Sequence, residues 1–168
     1  RYQKLPIRCL IELVQKIDEI SEDIEEKKTD APSRMSIDRV FSLKGFGTIV
    51  TGTLIEGKIS VDDEMTIYPS EKKVKVRNLQ VHGCDVKTAY AGQRTAINLS
   101  NIKVSEIQRG DVIAQTGSVE ESMMIDVNIS LVEHCKKSLK HWDRIRIFHG
   151  TKQILCRIVP LNEDEIQY

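Results

Sequence analysis

The stretch Met35-Ser-Ile-Asp-Arg-Val-Phe-Ser-Leu-Lys-Gly-Phe-Gly-Thr-Ile-Val-Thr-Gly-Thr-Leu-Ile55 decides how the chain is read. Met35, Ile37, Phe41 and Leu43 share one parity, the period of a strand with one buried face. Lys44-Gly45 supplies turn chemistry, and the β-branched run Thr48–Ile55 reads as the returning strand. The glycines of Gly45-Phe-Gly47-Thr-Ile-Val-Thr-Gly52 are the nearest approach to a phosphate-cradling loop. They open and interrupt a strand instead of leading into a helix, so a hairpin turn is the better reading. Arg39 shares the apolar parity. A guanidinium there must emerge at an edge, pair with an acid or line a pocket, because burial alone is costly. Asp38 is next to it but points to the opposite side by the same alternation.

Outward from this hairpin the period stays at two. Glu64–Tyr68, Val74–Val81, Thr95–Leu99 and Asp111–Gln115 read as further short strands, separated by Glu56-Gly57, Pro69-Ser70, Ala91-Gly92 and Arg109-Gly110. This spacing predicts a small antiparallel barrel. Lys73, Lys75 and Arg77 alternate with Val74 and Val76 and then the parity slips at Asn78, which predicts a bulge. After Thr116-Gly117-Ser118 a second β segment follows. In it Ile125, Val127, Ile129 and Leu131 alternate with polar residues, Arg144 and Arg146 alternate with Ile145 and Ile147, and Gln153–Val159 forms one more strand. Three strands are too few to close a barrel, so this part reads as cut short, with an open edge. Before the strands, Ile7, Leu10, Val14, Ile17 and Ile24 mark one stripe of a helix predicted from Pro6 to about Lys28. Lys27 and Lys28 would complement the dipole of its last turn, and Thr29-Asp-Ala-Pro32 ends it.

The 168 residues carry 25 basic and 25 acidic side chains, so net charge favours neither nucleic acid nor a membrane surface. The distribution is uneven, however. An acidic start, Glu12–Asp30, precedes two basic lobes, Lys72–Arg109 and His134–Arg157. Such lobes are what phosphate contact needs, though a solvated face explains most charge runs. The apolar fraction of 40% is ordinary, no apolar run approaches a bilayer span, and no export signal is evident. Cys9, Cys84, Cys135 and Cys156 form neither a disulfide framework nor a CxxC zinc site, which reads as a cytoplasmic chain with reduced thiols.

Catalytic signatures are missing: there is no GxxxxGK[ST] loop, no GxSxG elbow and no HExxH pair. His134-Cys135 and the near pair His82 and Cys84 could each be half of a thiol–imidazole site, but no third partner is evident, and strand-end residues are the simpler reading.

Ile37-Asp-Arg-Val-Phe-Ser-Leu-Lys-Gly-Phe-Gly-Thr-Ile-Val-Thr-Gly-Thr53 resembles the opening of the second domain of translational GTPases. Val61-Asp-Asp-Glu-Met65, Ala91-Gly-Gln-Arg-Thr-Ala-Ile-Asn-Leu99 and Glu106-Ile-Gln-Arg-Gly-Asp-Val-Ile-Ala114 continue the pattern in order. Within that family Ile37–Phe41, Val81-His-Gly83 and Ala91–Arg94 resemble the selenocysteine-specific elongation factors. The resemblance implies a mainly β chain. Residues 1–32 would be the last helix of a GTPase domain with its linker, 33–117 the second-domain β-barrel, and 118–168 a truncated third-domain β segment. It implies no catalysis by this part. GTP and Mg2+ would belong to the complete factor and no cofactor to this fragment. The implied partners are selenocysteyl-tRNA and the ribosome, with no membrane.

By the same resemblance Asp38, Arg39 and Arg94 would line a pocket for the aminoacyl side chain, the two guanidiniums favouring an anionic selenolate over a neutral residue. Lys73, Lys75, Arg77, Arg144 and Arg146 would contact tRNA or ribosomal phosphates. The rival readings are the equivalent domain of another translational GTPase and a free-standing β-barrel adaptor that binds protein through its open edge. The helix stripe and that edge also imply self-association.

Overall fold

A computed structural model describes residues 7–22, 27–133, 138–161 and 165–166. One helix, α1 (Ile7–Glu22), is followed by nine strands up to Gln115: β1 (Arg34–Leu43), β2 (Gly47–Glu56), β3 (Lys58–Ser60), β4 (Glu64–Tyr68), β5 (Lys72–Val81), β6 (Cys84–Val86), β7 (Thr88–Tyr90), β8 (Arg94–Ser100) and β9 (Val112–Gln115). Four more follow: β10 (Leu139–Lys140), β11 (Arg144–His149), β12 (Lys152–Arg157) and β13 (Glu165–Ile166).

Six of these strands close on themselves in the order β4-β9-β1-β2-β8-β5 and back to β4, every pair antiparallel. Closure removes the edges that an open sheet of this length would present. The two-stranded β3–β7 sheet stands apart from the ring, and β6 extends the far end of β5. Inward positions build the core: Met35, Ile37, Val50, Leu54, Ile67, Val76, Leu79, Ile97 and Ile113 have no exposed surface. Each such side chain contributes on the order of 2 kcal/mol by leaving water. The bulge predicted at Asn78 is present, the β5–β8 register jumping between Val76 and Asn78.

Two expectations are corrected. The described span of the helix runs to Glu22, residues 23–26 lie outside the described part, and Lys27 and Lys28 are not helical, so they do not form its last turn. Instead, the Lys28 carbonyl accepts a hydrogen bond from the Gly57 backbone N–H at 2.9 Å, so the chain is by then committed to the barrel. Nor does the alternation from Met124 to Leu131 form a strand. A strand needs a neighbour to take its N–H and C=O groups, and no described residue supplies a ladder there, so Met124 and Ile125 stand 86% and 64% exposed. Among the described residues the C-terminal strands make two separate two-stranded sheets, β10–β13 and the β11–β12 hairpin, and no second barrel.

The turn of that hairpin is seated on the first barrel. Thr151 Oγ1 donates to the Ile37 carbonyl at 2.7 Å. A Cβ on Gly150 would come within 2.7 Å of Ser36 Oγ, and one on Gly110 within 2.8 Å of Lys152 Cβ, so the two surfaces meet with no gap.

Candidate functional site

Between Ile37, which faces Gly52, and Arg39, which faces Thr51, the β1–β2 register gains one residue, and that residue is Asp38. Gly52 makes this possible. A Cβ there would lie 2.2 Å from the Ser36 carbonyl oxygen and 2.9 Å from Met35 Cγ, so only a glycine lets β1 press this close. In a bulge two residues of one strand oppose one of the other. Asp38 and Arg39 therefore both stand opposite Thr51.

The bulge corrects the parity argument for Arg39. After the extra residue, Val40 takes the inward place and packs against the core, while Arg39, Phe41 and Leu43 are exposed. Arg39 is thus not on the apolar face. It emerges on the outer wall beside Asp38.

Three neighbouring strands then meet at the Asp38 carboxylate, whose side chain is 18% exposed. Thr51 Oγ1 on β2 donates to Oδ1 at 2.6 Å, and Arg94 Nη1 on β8 donates to Oδ2 at 2.5 Å. Burial raises the Asp38 pKa. The hydrogen bonds from Thr51 and Arg94 and the charges of Arg94 and Arg39 outweigh it, leaving the carboxyl below its ordinary 3.8. The result is an ionised acid clamped to one guanidinium, with a second guanidinium nearby and a net charge of one positive unit across the three side chains.

Along the same outer wall lies a cavity of about 100 Å3 lined by Leu43, Phe46, Ile49, Asn78, Gln80, Ala96 and Asn98. Its floor comes from β2, β8 and β5: Ile49 faces Asn98, and Ala96 faces both Thr51 and Gln80. The cavity therefore begins one cross-strand step from the Asp38–Thr51–Arg94 cluster. Neither Arg39 nor Arg94 lines it. Asn98 is 8% exposed, and its Oδ1 has no hydrogen-bond partner among the described residues, which leaves an acceptor free at the cavity wall.

Sequence reasoning named Asp38, Arg39 and Arg94 but missed Thr51 and the whole cavity. A signal existed, because Ile49 and Ala96 are apolar residues at positions whose alternation faces outward.

Of the proposed phosphate contacts, Lys75 is paired with Asp62 at 2.8 Å, and that hydrogen bond and charge hold its pKa above the ordinary value. Lys73, Arg77, Arg144 and Arg146 are exposed, and no ion pair engages them among the described residues. The first three candidates are on β5 and the last two on β11, where Arg144 faces Arg157 directly. The Arg157 guanidinium itself lies over the Trp142 ring, 5.8 Å from its centroid. His82 and Cys84 are exposed at the β5–β6 turn, and His134 and Cys135 lie outside the described residues. No cluster of three potential metal ligands occurs among the described residues, and no helix there is long and apolar enough to cross a membrane.

Comparison with known proteins gives this geometry a context. The family described as Elongation factor Tu domain 2 matches residues 47–114. A selenocysteine-specific elongation factor of Desulfomicrobium baculatum is 37% identical over 94% of this chain and 25% of its own length. That of Escherichia coli K12 is 31% identical over 78% of this chain and 21% of its own length. Among solved structures, a bacterial selenocysteine-specific elongation factor superposes with a TM-score of 0.73 at 26% identity, over 92% of this chain and 25% of that one. Elongation factor SelB of Methanococcus maripaludis, bound to the GTP analogue GppNHp, gives 0.73 at 25% identity, over 87% and 33%. The chain is homologous to the selenocysteine-specific elongation factors through a region like the second domain of elongation factor Tu, and it spans about a quarter or less of the length of these two curated relatives.

Proposed function

We propose that the outer wall formed by β1, β2, β8 and β5 holds the aminoacylated 3′ end of selenocysteyl-tRNA. The observation that carries the reading is the Asp38–Arg94 clamp with Arg39 beside it, one cross-strand step from the cavity. A selenol is more acidic than a thiol, so a selenocysteyl side chain arrives as an anion at neutral pH. The residual positive charge of the cluster suits it, and a seryl side chain of similar size leaves that charge uncompensated. The adjoining cavity supplies apolar walls from Leu43, Phe46 and Ile49 and amide heads from Asn78, Gln80 and Asn98. This is the chemistry that takes a flat base by its face and its polar edge, and the free acceptor of Asn98 suits an exocyclic amine.

In this reading residues 33–117 are the tRNA-end-binding domain, and residues 118–168 belong to a third domain. GTP and Mg2+ are bound by other parts of the complete factor, since this chain has no phosphate loop. Lys73, Arg77, Arg144 and Arg146 hold tRNA or ribosomal phosphates, with Lys75 joining them once it leaves Asp62.

The test is Arg94→Asn in the complete factor. Selenocysteyl-tRNA binding should weaken more than seryl-tRNA binding, by about 2 kcal/mol or roughly thirtyfold. Equal weakening would mean that Arg94 grips an element common to every tRNA, as the equivalent domain of another translational GTPase would.

A further inference from the structure

The carbonyl of Ile37 belongs to the same peptide unit as the backbone nitrogen of Asp38, so whatever orients that carbonyl orients the base of the clamp. Two donors reach it, the Gly110 backbone N–H at 2.9 Å and Thr151 Oγ1 at 2.7 Å. On the other side of the same residue, the Ile37 N–H donates to the Asp111 carbonyl at 2.9 Å. The Ile37 side chain is fully buried, so the residue is fixed from both ends. Of these partners only Thr151 comes from beyond the barrel, 114 residues away in sequence. It is also a side chain, which a substitution removes without touching the backbone.

The seat of the turn leaves Thr151 little freedom. Gly150 lies against Ser36, and Lys152 lies against Gly110. The hydroxyl is thereby aimed at the peptide next to the extra residue of a bulge, where the β1–β2 ladder is interrupted.

We propose that Thr151 is a positioning residue for the aminoacyl site. By anchoring the Ile37–Asp38 peptide, it aims the Asp38 carboxylate so that Thr51 and Arg94 reach it together. The inference deepens the reading above, and it makes the β11–β12 turn part of the specificity machinery although it touches no ligand.

Two measurements test it. The first needs no tRNA: the Asp38 carboxyl carbon is followed by NMR as a function of pH in this chain and in Thr151→Val, Thr151→Ala and Thr151→Ser. The Val and Ala variants should move the Asp38 midpoint upward, and Ser, which keeps the hydroxyl, should leave it in place. The second compares selenocysteyl-tRNA with seryl-tRNA binding in the complete factor. Thr151→Val should reduce the preference roughly threefold to tenfold, the size of one lost hydrogen bond. Loss of thermal stability in Val and Ala with an unmoved Asp38 midpoint would overturn the proposal, leaving Thr151 a plain packing residue. An Asp38 midpoint that moves while neither Thr151→Val nor Arg94→Asn alters the preference would support the positioning role and sink the tRNA reading instead.

Discussion

The Asp38 carboxylate is held by donors of two kinds, a neutral hydroxyl from Thr51 and a guanidinium from Arg94. Its pKa lies below 3.8, so the stabilisation it gives is complete above that ordinary value and is lost as pH falls through the depressed one. At neutral pH the clamp is therefore fully formed and does not titrate. Replacing Arg94 with Gln removes a hydrogen bond and a charge while burial persists. The Asp38 midpoint should then rise, and an NMR titration of the carboxyl carbon that showed no rise would mean that Thr51 alone holds the group. Arg39 matters differently. It is exposed and acts on Asp38 by its charge, so its influence should weaken with added salt more than that of Arg94.

At the level of elements, the six strands of the barrel were legible because both signals agreed, an alternating face and a turn at each end. The starts and stops of β1, β2, β4, β5, β8 and β9 fall within about two residues of the sequence reading. The three-residue strands β3, β6 and β7 were not legible, since three residues hold too little alternation to distinguish a strand from a turn. The site was legible in part. The charged residues Asp38, Arg39 and Arg94 stand out in the sequence, whereas the bulge that redirects two of them depends on the close approach of β1 to Gly52, a tertiary fact.

That contact is testable. Gly52→Ala would force a methyl against the Ser36 carbonyl, a backbone atom with no room to yield. It should cost about 2 kcal/mol, read as a lower denaturant midpoint at unchanged slope. The same change should disturb the Asp38–Arg94 pair. An unaltered midpoint would show that β1 shifts freely and that the bulge is soft.

On the scale of the whole molecule, α1 presents Leu10, Val14 and Ile17 of the stripe read from the sequence at 48–56% exposure, so among the described residues that stripe is left open. In this chain taken alone, sedimentation equilibrium should show mass rising with concentration, and the double substitution Val14→Glu, Ile17→Glu should abolish the rise. A constant monomer mass in the unsubstituted chain would contradict this.

The seated turn has a mechanical meaning as well. Among the described residues the β11–β12 hairpin is joined to the barrel both through the chain that leaves β9 at Gln115 and through its seated turn, where Thr151 supplies the hydrogen bond. A body held at one point swivels about it, whereas one held at two points must first release one of them. By that geometry a pull on the hairpin meets the seated turn, where Thr151 bonds the Ile37 carbonyl and Gly150 and Lys152 lie against Ser36 and Gly110, before it loads the covalent tether.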